Sequence, residues 1–231
     1  MNMKFEKIEN NSIYSTATMQ NQTFPVKFLI QNKSFLIQKP MPETSKNKIN
    51  IWKKFSDQTN GTFKEGYSWQ SDSTEIEYKN WKIVFDNYRL WSGKYSTQMT
   101  RVIAPITLKD HFKFEIYNEG FTRKIEKLFG AQDIEIGYPD FDKAFTIKSN
   151  NEFKIKTLLR NKELRNRIAI QKEVNIHISD QKGIWEQKLP ENEFELSYYI
   201  DGEIDNLETL NSLLELFKIL LDEMSALELI Q

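Results

Sequence analysis

Cysteine is absent from the 231 residues, which excludes disulfides, thiolate metal centres and a cysteine nucleophile. Glycine and proline are scarce, at 8 and 6, so collagen-like and low-complexity disordered chains are excluded as well. No apolar run is long enough to span a bilayer. Phe217–Leu221 is interrupted by Lys218 and falls far short of the roughly 18 residues such a span needs. The opening residues MNMKFEKIENN carry charge where a secretory signal requires an apolar core, so secretion by that route is not expected. Neither sign of charge dominates: 32 basic residues face 33 acidic ones, for a net charge of −1. A surface built to neutralise phosphates would need a basic excess, so nucleic acid is not the expected partner. Also missing are a His-Glu-x-x-His, a Gly-x-Ser-x-Gly and a glycine-rich phosphate loop.

What is present is the composition of a globular protein, 39% hydrophobic and 28% charged, in a chain long enough to bury a core without covalent staples. A cytoplasmic location is the expectation. Residues 1–45 read as short extended pieces, Phe24–Ile30 and Phe35–Ile37, with a hairpin between them. They form either an N-terminal subdomain or an extra edge of the main sheet. The polar run from Pro40 to Lys48 is the candidate linker.

From residue 46 on, the periodicity predicts an α+β domain with a mainly antiparallel sheet. Ile51, Trp52 and Phe55 have helical spacing, stopped by Asn60-Gly61. Strands follow at 74–78, 81–86, 98–104, closed by Pro105, and 112–116, each alternating apolar and polar residues. Phe121, Ile125, Leu128 and Phe129 predict a helix over 119–129.

Within 133–160 three signals follow one another. Ile134 and Ile136 alternate with Asp133 and Glu135, predicting a strand. Gly137-Tyr138-Pro139-Asp140 predicts a turn. Phe145 and Ile147 then predict a second strand, and Ser149 with Glu152 matches a capping box opening a helix that carries Ile155, Leu158 and Leu159. A further helix over 163–170, strands at 174–178, 184–187 and 194–200, and a leucine-rich helix over 205–227 complete the series, with Asp205 and Glu208 as its capping pair. The helices at 119–129, 150–170 and 205–227 are expected to pack on the sheet.

The succession Asp140-Phe141-Asp142-Lys143-Ala144-Phe145, the Leu158-Leu159 helix, the Val174 and Phe194 strands and the leucine-rich terminal helix resembles an uncharacterised bacterial domain-of-unknown-function family. Its members show an acidic-Phe-acidic-x-x-Phe motif. Many relatives carry membrane helices ahead of this region, a feature this chain lacks. The resemblance implies a fold, and no reaction or cofactor.

Two surfaces are candidates for binding. Tyr88, Arg89, Trp91 and Tyr95 surround Gly93 and read as an aromatic turn exposed for recognition, part of a longer aromatic series that also includes Tyr67, Tyr78 and Trp81. Lys156, Arg160, Arg165 and Arg167 form a basic stretch on two short helices. Asp140 and Asp142 are weak candidates for a divalent cation, against a simpler role in capping the turn at Pro139. His111 and His177 are the two possible histidine bases. No cofactor is expected. The reading that results is a non-enzymatic intracellular bacterial protein binding another macromolecule, such as an immunity or adaptor protein with a protein partner. A metal- or histidine-dependent hydrolase and a lipid or small-ligand module are the alternatives. Oligomeric state is not legible.

Overall fold

The computed structural model describes residues 50–231, apart from 69, 93, 119–132 and 183–186 and the side chains of 91, 92 and 95, together with the strand backbones of residues 3–9, 12–19 and 22–29. The chain divides into two compact units between Lys48 and Ile49. The first holds an antiparallel sheet of β1 (Met3–Glu9), β2 (Ser12–Met19) and β3 (Gln22–Leu29), in that order. Glu9 faces Ser12 and Met19 faces Gln22. The described neighbour of β3 is therefore β2, which precedes it. The second half of the expected hairpin, Phe35–Ile37, lies outside the described residues.

The second unit opens with α1 (Ile51–Thr59) and the meander β4 (Thr62–Lys64), β5 (Ser73–Tyr78), β6 (Trp81–Ser92) and β7 (Tyr95–Thr107). β8 (Phe114–Tyr117), α2 (Pro139–Ala144), β9 (Thr146–Ser149), α3 (Glu152–Leu158) and α4 (Lys162–Ala169) follow. The chain ends with β10 (Asn175–Ser179), β11 (Glu193–Asp201) and α5 (Leu207–Ala226). The eight strands form one open sheet in the order β4-β5-β6-β7-β11-β10-β8-β9, with every pairing antiparallel. This is the α+β architecture the periodicity predicts.

Alternation along each strand sends successive side chains to opposite faces, and the register aligns one apolar set across the sheet. Ile76 faces Ile83, Phe85 faces Val102, Ala104 faces Leu196, and Ile116 lies between Ile147 and Ile176. Onto this face pack Trp52 and Phe55 of α1, Phe141 of α2, Ile155 and Leu158 of α3, Leu164 and Ile168 of α4, and the stripe from Leu210 to Met224 of α5, all in one buried cluster. Each such side chain contributes about 1.5–3 kcal/mol by leaving water, so this layer dominates the stability of the unit. Polar clamps fix the helices in register. Asn161 of the α4 cap donates to Glu223 at 2.7 Å, Gln171 to Ser212 at 2.8 Å, and Tyr78 to Asp222 at 2.8 Å.

Several local expectations need correction. Asp133–Ile136 is not a strand; the N–H of Ile134 donates to the Ile147 carbonyl at 2.8 Å, but no ladder forms. Pro139 does not make the predicted turn. It opens α2, because its fixed φ suits the first helical position and its missing N–H is needed by no helical bond there. The caps of α3 and α5 are Asn151 and Asn206, each accepting from the third amide beyond, at 3.0 and 2.8 Å. Ser149 and Asp205 each lie just upstream of these caps. Ser149 instead donates to the Lys113 carbonyl at 2.7 Å. Pro105 does not close its strand: β7 runs on to Thr107, and Pro105 lies beyond the end of the β6 pairing at Val84↔Ile103, so no bond to β6 is lost there. The predicted helix 119–129 and most of the predicted strand 184–187 lie outside the described residues.

Candidate functional site

β6 and β7 pair from Val84↔Ile103 to Ser92↔Tyr95, whereas β5 accompanies β6 only as far as Asp86 and β11 accompanies β7 only as far as Met99. The ribbon from Asn87 to Gln98 therefore continues beyond both neighbouring strands. It carries all four aromatic and cationic positions picked out for binding, Tyr88, Arg89, Trp91 and Tyr95, in strand backbone rather than in a turn. Tyr88 is not the exposed aromatic expected of it. It is buried on the face away from the helices, beside Met99 and Tyr199, because the strand continues past the point where its polar neighbours read as a turn. Arg89 donates through Nε to Gln98 Oε1 at 3.2 Å.

Beside this ribbon lies a polar cleft of about 790 Å³. On its floor Arg101 meets Asp86 through two hydrogen bonds, Nε to Oδ1 at 2.9 Å and Nη2 to Oδ2 at 2.6 Å. Burial works against the Arg101 charge, but the Asp86 carboxylate outweighs it and holds the guanidinium above its ordinary range. The guanidinium lies 4.7 Å from the centre of the Tyr88 ring. Tyr88 meets Tyr199 edge-on at 5.6 Å, and Tyr199 stacks on His177 at 5.5 Å. Farther along, Glu75 lies between Lys64 at 2.6 Å and Lys82 at 3.1 Å. Burial alone would raise its pKa; the two ammonium groups bring it below the usual value.

One wall of the cleft is formed by Glu65, Gly66, Ser68, Gln70 and Ser71, in a loop that local hydrogen bonds tie to its surroundings. Gly66 is required, since a Cβ there would meet the Gln70 carbonyl oxygen at 2.3 Å. The Gly66 N–H donates to Asp72 at 2.7 Å, and the other oxygen of Asp72 accepts from Asn50, the residue that caps α1. Ser71 both donates to the Asn87 carbonyl and accepts from its N–H, at 2.7 and 3.1 Å, joining the loop to the ribbon. At the tip of this pinned loop Tyr67 stands 84% exposed.

The basic stretch is largely engaged locally. Lys156 pairs with Glu152 at 2.7 Å and Arg167 with Glu163 at 3.7 Å. Arg165 stacks on the Tyr138 ring at 3.4 Å and donates to the carbonyls of Leu159 and Arg160. Arg160 is exposed. Of the acidic pair, Asp142 accepts from the backbone N–H groups of Ile136, Gly137 and Tyr138 at 2.8–3.0 Å, which makes it the cap of the turn before α2; Asp140 is exposed. Among the described residues no group of three or more His, Asp or Glu is placed to hold a metal ion. His177 is buried rather than surface, its pKa lowered to about 4 by desolvation.

His111 sits at a second cleft, of about 640 Å³, with Lys113, Asp180, Lys188 and Phe194. Neither Asp86, Arg101 nor this cleft was signalled by sequence. Asp86 and Arg101 become a pair only once the β6–β7 register is known, since fifteen positions separate them in the chain.

No family model matches the chain, and neither the curated proteins nor the solved structures yield a similar one. The class that fold and site define is an open-sheet α+β protein with a polar cleft lined from β5, β6, β7 and the loop before β5. Among the described residues no helix is long and apolar enough to cross a membrane.

Proposed function

We propose that the chain is a non-enzymatic binding protein of the adaptor kind, which engages a protein partner through the loop 65–72 and the neighbouring β6–β7 ribbon. The observation that carries this reading is Tyr67. A large aromatic left 84% exposed would ordinarily sit on a loose segment, yet here Gly66, Asp72 and Ser71 pin the segment that presents it. A rigid exposed tyrosine gives contact area at small entropic cost when a partner covers it. The carboxylates beside it support binding over acid–base chemistry, because Glu75 and Asp86 are both held in ion pairs.

Photo-crosslinking in cells tests the proposal. A benzophenone amino acid placed at Tyr67 is expected to give one discrete protein adduct, whereas the same probe at Phe153, an aromatic 72% exposed on the helical layer, gives none. Equal labelling from both positions, or no adduct at Tyr67, would overturn it.

A further inference from the structure

The second cleft holds two residues in a backbone conformation that most side chains rarely adopt. His111 and Asn192 both line it, and both have left-handed backbone, with φ of 56° and 68°. For a histidine that conformation is disfavoured and persists where its surroundings hold it. Asn150 imposes it. Its Nδ2 donates to the His111 carbonyl at 2.8 Å while its Oδ1 accepts from the Lys113 N–H at 2.9 Å, clamping the backbone on either side of residue 112. The clamp sets the His111 ring edge-on to Phe194 at 5.8 Å and brings the Lys113 ammonium to 5.2 Å from the centre of the same ring.

Lys113 is mostly buried, at 17% side-chain exposure, and its carboxylate partner belongs to the cleft itself. Asp180 Oδ1 lies 3.2 Å from Lys113 and Oδ2 lies 3.9 Å from Lys188. A carboxylate thus sits between two ammonium groups inside a concavity of the size that takes small molecules. Glu191 and Glu193, exposed at the rim, add negative charge that disfavours an extended polyanion. We infer that this cleft is a binding site for a small oxyanion, a carboxylate or phosphate group, received by Lys113, Lys188 and His111, with the Asp180 side chain as the built-in occupant that an incoming anion displaces. This site is independent of the surface at Tyr67.

The displacement gives the test its sign. The full chain is titrated with inorganic phosphate and, separately, with acetate, and amide shifts are followed by NMR in the wild type and in Asp180→Asn. Removing the internal anion is expected to tighten binding about tenfold, with shifts at His111, Lys113 and Lys188 and none at Tyr67. Phosphate binding without acetate binding would assign the site to phosphate groups, and the reverse to carboxylates; either supports the inference. Lys188→Ala, at a side chain 77% exposed and so safe for folding, is expected to weaken binding in the Asp180→Asn background. No shift at these residues with either anion, or an affinity unchanged by Asp180→Asn, would overturn it.

Discussion

Phe85 and Asp86 are neighbours in the chain and lie on opposite faces of one sheet. Phe85 enters a layer dominated by apolar strand and helix side chains, whereas Asp86 enters a row that includes Arg101, Tyr199, His177, Glu115, Asn175 and Glu195. Both rows are largely buried, and Glu115, His177, Asn175 and Tyr199 are each under 7% exposed. The comparison separates two ways of burying a strand. On the helical face any apolar residue of suitable volume serves, and stability scales with the area removed from water. On the other face each buried polar group depends on a particular partner, and the cost of losing one is set by the desolvation of the group left behind rather than by the area lost.

The largest effect expected from breaking this contrast is on the helical face. Phe85→Ala removes a ring with no exposure, which meets Phe55 edge-on at 4.9 Å. It should cost about 3–5 kcal/mol, because the transfer of the ring and the remaining cavity add. Urea denaturation reads it as a shifted midpoint with an unchanged slope; a loss under about 1 kcal/mol would mean the two faces are not distinct in this way. The polar face gives a smaller and differently shaped result. Arg101→Met should cost about 2–3 kcal/mol by stranding Asp86, discounted for the small exposure of both side chains. Adding Asp86→Leu should then restore most of that loss, since removing both members of a desolvated pair is far milder than removing one. A double variant as unstable as the sum of the two single ones would show that the pair contributes through something other than mutual charge.

The helical face was legible in the sequence because it obeys periodicity. The stripe of Leu210, Leu214, Phe217, Leu221 and Met224 predicts α5 to within two residues at each end, and Ile155, Leu158 and Leu159 place α3. Where local chemistry offered two readings, the less informative one won. Ser149 and Asp205 match a capping pattern, yet asparagines at 151 and 206 make the bonds, as cap preferences barely separate Asn from Ser and Asp. Pro139 fits a turn and a helix start equally well, and only the Asp142 carboxylate reaching back to three N–H groups decides for the helix. The candidate site was hardest to read. Tyr88, Arg89, Trp91 and Tyr95 do share one ribbon, but Tyr88 is buried, and of its partners Arg101 comes from the adjoining strand β7 and Tyr199 from β11, far along the chain. Tyr67 belonged to the aromatic series without distinction until the structure showed its exposure beside the Gly66–Asp72 hydrogen bond.

The smallest net effect is the dependence of stability on pH, because two opposed groups lie directly across from each other. Glu115 of β8 faces His177 of β10 on one side and Lys148 of β9 on the other. Burial pushes the Glu115 carboxyl up to about 6 from its ordinary 4.5, with Lys148 opposing, and lowers the His177 imidazole to about 4 from 6.5. A raised acid gives stability that is complete below pH 4.5 and lost as pH rises through about 6. A lowered base gives stability that is complete above pH 6.5 and lost as pH falls toward about 4. Between pH 6 and 4.5 the two contributions therefore run in opposite directions and partly cancel. His177→Gln should gain stability relative to the wild type as pH falls from 6.5 toward 4, and Glu115→Gln should lose it relative to the wild type as pH falls from 6 to 4.5. Thermal midpoints taken across that range decide it. If both differences are flat, the polar face does not hold these groups in their uncharged forms, and the distinction between the two sides of the sheet would rest on the Asp86–Arg101 pair alone.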